Sequence, residues 1–202
     1  MQGIRKAAMT GIVSVAVAAC AMGGIKAEIG YLGASPSPSA TRLKVSEPLK
    51  VVLASQIPDQ FEVKPAPSMG SAYAEYRKSL ADALQKTFSP NFSEVVIADR
   101  ETGHGLELVV AKAEMLTTTT IRYQALLLSD GKEIIDVAGE TKGRAIAISA
   151  TPFNASSGYT DAMVTLSREA VEKMCAAIYD DIFRSGRQRP ADFWDKRVAA
   201  AH

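Results

Sequence analysis

Hydrophobic and polar positions first alternate in a strand rhythm just after Pro48, where Leu49, Val51 and Leu53 are interleaved with Lys50 and Val52. Gln56 to Gly70, with Pro58, Pro65, Pro67 and Gly70, reads as a loop, inside which Phe61-Glu62-Val63 can form a short edge strand. From Ser71 the period lengthens. Tyr73, Tyr76, Leu80, Ala83 or Leu84, and Phe88 recur every three or four residues, which predicts an amphipathic helix with Ser71 as N-cap and Pro90 beyond its end. Glu94 to Ala98 reads as a short strand and Asp99 to Gly105 as a polar connecting loop.

The next block is the richest in strands. Leu106, Leu108 and Val110 alternate with Glu107 and Val109, and after Thr117-Thr118-Thr119-Thr120 the rhythm resumes at Ile121, Tyr123, Ala125 and Leu127. Asp130-Gly131 between two alternating runs predicts a tight hairpin. A third strand is expected from Glu133 to about Ile148, broken or bulged near Gly139 and Gly143, which completes an antiparallel meander. A long helix follows from about Thr160 to Arg184, with Met163, Leu166, Ala170, Met174, Ala177 or Ile178, and Ile182 on one stripe and Gly186 able to end it. The pattern predicts an α+β domain over residues 48–186, with a mixed or mostly antiparallel sheet of four to five strands and two helices. In the tail, 187–202, Phe193-Trp194 either folds back onto the domain or offers an anchor to a partner, and folding back is favoured.

Before Pro48 the chain has a different character. Arg5 and Lys6 precede an apolar run that ends at Val17-Ala18-Ala19-Cys20. A basic head, an apolar middle and small residues before a cysteine have the layout of an export signal over residues 1–19. Two other readings of this stretch are an ordinary secretory signal cut elsewhere and an uncleaved anchor. The run from Ala7 to Ile25 is near the roughly 20 residues that a spanning helix needs. It is mostly Ala, Gly and Val, contains Thr10 and Ser14 and lacks Leu, which weighs against a permanent span. Residues 20–47 are then expected to be a flexible tether, because Gly23-Gly24 and the alternating Pro and Ser of Ser35 to Ser39 favour extended, unpacked chain. Such a tether could hold the domain tens of ångströms from a bilayer, at up to about 3.3 Å per residue.

Length and composition narrow the rest. At 202 residues with 47 % hydrophobic content, the chain suits one domain with a real core. The formal charge is +1, and without Arg5 and Lys6 it becomes −1, with 21 basic against 22 acidic residues dispersed along the chain. No basic cluster offers the phosphate-neutralising patch that nucleic-acid binding requires.

The candidate chemistry is sparse. Two cysteines are present, Cys20 and Cys175; if Cys20 carries lipid, Cys175 is expected to be a reduced, buried helix residue. His104 and His202 are the two histidines, and no Cys or His spacing matches a metal site. His104 lies among Asp99, Glu101 and two glycines, where solvated loop is favoured over acid/base chemistry. Phosphate-loop and nucleophile-elbow patterns are missing. No catalytic, cofactor-binding or metal residue is assigned, and a non-enzyme is expected.

Val17-Ala18-Ala19-Cys20 resembles the lipobox of bacterial lipoproteins, with Cys20 as the residue that receives the lipid. Ala21, where enterobacterial inner-membrane lipoproteins carry Asp, implies by the same resemblance passage to the outer membrane, facing the periplasm. The order of tether, strand, helix, short strand, meander and final helix resembles the small LptE-type lipoproteins, and also YajG-like and transporter-auxiliary lipoproteins. That resemblance implies a two-layer sandwich with both helices on one sheet face. It also implies a non-enzymatic assembly or accessory factor for an envelope protein complex, with a protein partner of unknown identity and a membrane contact through the N-terminal lipid. A carrier of lipid or another apolar ligand between envelope membranes is the alternative; Ala111, Ala113, Ala125 and Ala138 could leave room for its cavity.

Overall fold

The computed structural model describes residues 25–27, 42–63, 72–117, 119–143, 155–184 and 192–198. The signal segment 1–19, Cys20, Ser71, residues 144–148 and Gly186 lie outside them, so the structure leaves the export signal, lipidation at Cys20 and the Gly186 stop untouched; Ser71 is not the N-cap, because the first helix begins at Tyr76 with Glu75 before it.

Five strands form the main sheet: β2 (Leu49–Leu53), β5 (Val95–Ala98), β6 (Leu106–Thr117), β7 (Thr120–Ser129) and β8 (Lys132–Lys142). Their order is β5-β2-β6-β7-β8. The β6-β7-β8 meander is antiparallel, as its hairpin signals predict, whereas β2 runs parallel to both β5 and β6, so the sheet is mixed. Asp130 and Gly131 both have positive φ, 50° and 72°, the backbone that a two-residue hairpin of this twist requires. Helices α1 (Tyr76–Phe88) and α2 (Ala155–Arg184) cover one face, α1 on β2 and β5, α2 on β7 and β8. The α+β class and the two-layer arrangement are therefore as expected. Tyr76, Leu80, Leu84 and Phe88 of α1 and Met174, Cys175, Ile178 and Ile182 of α2 meet Leu49, Val51, Leu108, Val110, Ala125 and Leu127 in one core.

A second sheet, ordered β1-β4-β3, combines β1 (Ile25–Ala27), β3 (Gln60–Val63) and β4 (Ala72–Glu75). It alters two expectations. The segment around Phe61-Glu62-Val63 is a strand as foreseen, but its antiparallel partner is the stretch read as the first turn of the helix, which therefore begins at Tyr76. Glu75 makes no side-chain cap; the carbonyl of Asp59 accepts from the main-chain N–H groups of Tyr76 and Arg77 instead. Within the segment read as flexible tether, Ile25–Ala27 pairs in parallel with β4.

Bulges explain how the long strands keep their apolar side inward. Val110 pairs with Ala125 and Lys112 with Gln124, which leaves Ala111 as the extra residue and switches the inward set from Leu106, Leu108 and Val110 to Ala113. A second shift makes Leu116 the extra residue and leaves it 39 % exposed. The break expected near Gly139 falls instead at Ile134, between the pairs Leu127–Ile135 and Leu128–Glu133. Gly139 stays in register opposite Tyr123, whose ring fills the space a side chain would need: a Cβ there would lie 2.7 Å from Tyr123 Oη. Among the described residues β8 ends at Lys142, and the predicted continuation through 144–148 lies outside them.

The tail folds back. Phe193 and Trp194 open α3 (Phe193–Val198) and are buried, with Trp194 against Phe92 and Phe183 and Phe193 against Trp194. Arg197 lies over the Phe193 ring and donates to Glu47 and Ser129, tying the tail to the chain before β2 and to the β7–β8 turn.

Candidate functional site

The two edges of the main sheet differ. Strand β8 is studded with charge, with exposed Lys132, Glu133, Asp136 and Glu140 along its length. Strand β5 is Val-Val-Ile-Ala, paired on one side with β2. Val96 and Ile97, 39 % and 38 % exposed, are two of the three exposed large hydrophobic residues among the described ones, Leu116 being the third. Because side chains alternate, Val96 faces away from the helices and Ile97 towards them, so neither flank of this edge is covered. A charged edge resists pairing with another chain, whereas an apolar one invites it. Shortness protects β5, and Gln85 Nε2 of α1 donates to the Val95 carbonyl at 2.9 Å.

Beside Ile97 opens a cleft of about 430 Å³. Leu53, Ala81, Ile97 and Ala98 supply its apolar lining, and Asp59, Glu75 and Asp99 its acidic rim. Its shape depends on Arg77. The guanidinium donates to the carbonyls of Leu53, Ala54 and Ile57 at 2.6, 3.0 and 2.9 Å, clamping the turn after β2 onto the start of α1. The dispersed charge pattern gave no sign of this role, because three carbonyl acceptors leave no mark in side-chain chemistry.

The loop Asp99–Gly105 touches the cleft only through Asp99. It must return from the Ala98 end of β5 to the Leu106 end of β6, past β2, and it crosses the face opposite the helices. Glu107, fully buried, holds it there: the carboxylate accepts from Thr102 N–H and Oγ1 at 2.8 and 2.6 Å and from Gly103 N–H at 3.2 Å, with Lys50 Nζ at 3.7 Å. Lys50 also donates to the His104 carbonyl. Gly103 and Gly105, at φ 70° and 74°, let the backbone make these turns. On the same face Val52, Val109 and Leu128 form a second apolar cluster. Burial alone would raise the Glu107 carboxyl, but the hydrogen bonds from Thr102 and Gly103 and the Lys50 charge outweigh it and hold it below the ordinary glutamate range. Glu107 falls on the opposite face of β6 from Leu106, Leu108 and Val110, and the crossing loop buries it there.

The remaining candidates stay apart. His104 is exposed, and among the described residues no three His, Cys, Asp or Glu side chains gather as for a metal. Cys175 is buried and unbridged, and burial pushes its thiol up, far from a reactive thiolate at neutral pH. Ala113 and Ala125 pack in the main core, Ala111 is the bulge residue and Ala138 is exposed. Clefts of about 300 Å³ beside Ile57, Phe61 and Met115 and about 380 Å³ beside Arg122 and Ala138 open at the surface. Among the described residues no helix is long and apolar enough to cross a membrane.

No protein-family model and no curated protein matches the chain. Among solved structures, that of protein XCC0632 from Xanthomonas campestris, assigned to family DUF330, is similar with a TM-score of 0.51 and 15 % identity, covering 82 % of this chain and 98 % of that one. A second, described as an uncharacterized protein, covers 79 % and 98 % at 13 % identity with a TM-score of 0.39. The first similarity establishes the shared fold.

Proposed function

We propose that this chain is exported, acylated at Cys20 and held at the outer membrane facing the periplasm, where it serves without catalysis as an assembly or accessory factor for an envelope protein complex. The address rests on Val17-Ala18-Ala19-Cys20 and the basic head before it. The binding role rests on the contrast between the sheet edges: β8 carries charge, and β5 presents Val96 and Ile97 beside an open cleft. An extended segment of a partner can add to β5 by main-chain hydrogen bonds while its side chains enter the cleft. The carrier alternative has less support, since Ala113 and Ala125 are packed in the core.

A photo-reactive residue placed at Ile97, and separately at Asp136 on β8, tests the reading in living cells. A discrete adduct from position 97 that is absent from position 136, and that Val96→Lys removes without lowering the melting temperature, is the expected result. Adducts that are equal at the two edges, or unaffected by Val96→Lys, contradict it.

A further inference from the structure

Strand β1 begins five residues after Cys20, so its first Cα lies within about 18 Å of the Cys20 Cα even when the connection is fully extended. It is held there by parallel pairing of Ile25, Lys26 and Ala27 with Ala72, Tyr73 and Ala74 of β4. Strand β4 is in turn fastened to the main body. Its antiparallel partner β3 follows the turn clamped by Arg77, and it leads directly into α1. A lipid on Cys20 would therefore not leave the domain on a long flexible tether. It would hold one end of the molecule against the bilayer.

That end can be identified. Tyr76 Oη, just after β4, donates to the Ala113 carbonyl, and Gln56 Nε2 donates to the Ala111 carbonyl, so the small sheet sits by the far half of β6. The β6–β7 turn lies at the same end and carries Leu116, the bulged and exposed apolar residue. The opposite end holds the β7–β8 turn at Asp130-Gly131, a ten-residue strand away, which is about 30 Å. Ion pairing offsets most of the charge near Leu116: Lys112 pairs with Glu114, and Glu140 is shared by Arg122 and Lys142, which leaves one positive charge in excess among these five.

Resting on acylation of Cys20, we infer that the β1-β4-β3 sheet and the Leu116 turn form a membrane-facing end, with Leu116 at the surface of the bilayer that holds the acyl chains. Attachment length and one apolar side chain set this orientation, and net charge does not. The cleft beside Ile97 is lined by Asp59 and Gln60 of the same end, so a partner bound there lies close to the membrane surface.

The test uses the full lipidated protein, purified from membranes and reconstituted in phosphatidylethanolamine/phosphatidylglycerol vesicles containing a headgroup-level quencher lipid. Leu116→Cys and Lys132→Cys each carry an environment-sensitive fluorophore; Cys175 is buried and an acylated Cys20 has no free thiol, so labelling is confined to the new site. Quenching severalfold stronger at position 116 than at 132, maintained in high salt and lost when a long Gly-Ser segment is inserted between Cys20 and Ile25, is the expected result. Equal quenching at the two positions in a protein whose N-terminal peptide is acylated overturns the orientation and leaves the lipoprotein reading standing. An unacylated N-terminal peptide overturns both.

Discussion

Glu107 is a buried carboxylate whose donors all come from a loop it must hold in place or from Lys50 beside it. Glu107→Gln keeps the shape and removes the charge, and should destabilise the domain by about 1–3 kcal/mol in urea unfolding. The sign of its pH dependence follows from the lowered folded-state pKa. Its stabilisation is complete above the ordinary glutamate value and is lost as pH falls through the lower folded value, so acidification below about pH 4 should weaken wild type more than Glu107→Gln. An identical pH dependence in the two proteins would show that the loop is held by something else. Gly139 makes a second prediction at this scale. A Cβ there would lie 2.7 Å from Tyr123 Oη and 3.0 Å from Cζ, so Gly139→Ala should cost about 1–3 kcal/mol. Because Oη is the nearest atom, Tyr123→Phe should recover part of that loss, and a double-mutant cycle with no coupling would contradict the contact.

Elements whose partners are close in sequence were legible. The meander follows from alternation around Asp130-Gly131, and both long helices follow from three- and four-residue spacing. Elements whose partners are distant were not. Tyr73 and Tyr76 fit a helical period, and only pairing with β3 makes Ala72–Glu75 a strand; β1 needs β4, some forty-five residues later. The burial of Glu107 depends on a loop whose crossing cannot be inferred from alternation, and β5 is an edge only because β2 lies between β5 and β6. Helix α3 illustrates dependence on context most clearly. Six residues are too few to hold a helix alone, so its order comes from docking Trp194 against Phe92 and Phe183, with Phe193 packed on Trp194. Trp194→Ala should cost about 3–5 kcal/mol and remove amide-exchange protection across α3. A loss below about 1 kcal/mol would show that the tail is not part of the core.

For the whole molecule, the address and the body give one consistent arrangement. A near-neutral chain with dispersed charge, an export-type head ending at Cys20, a first strand five residues later and an apolar sheet edge are the features on which the proposed membrane-held, protein-binding role rests. In that proposal the membrane address and the orientation both depend on what happens at Cys20. The most direct measurement is the mass of the N-terminal peptide of the protein isolated from its own membranes. The account predicts a peptide that begins at Cys20 and carries acyl chains on a thioether-linked glyceryl group. A peptide that begins elsewhere, or an unmodified Cys20, would contradict it.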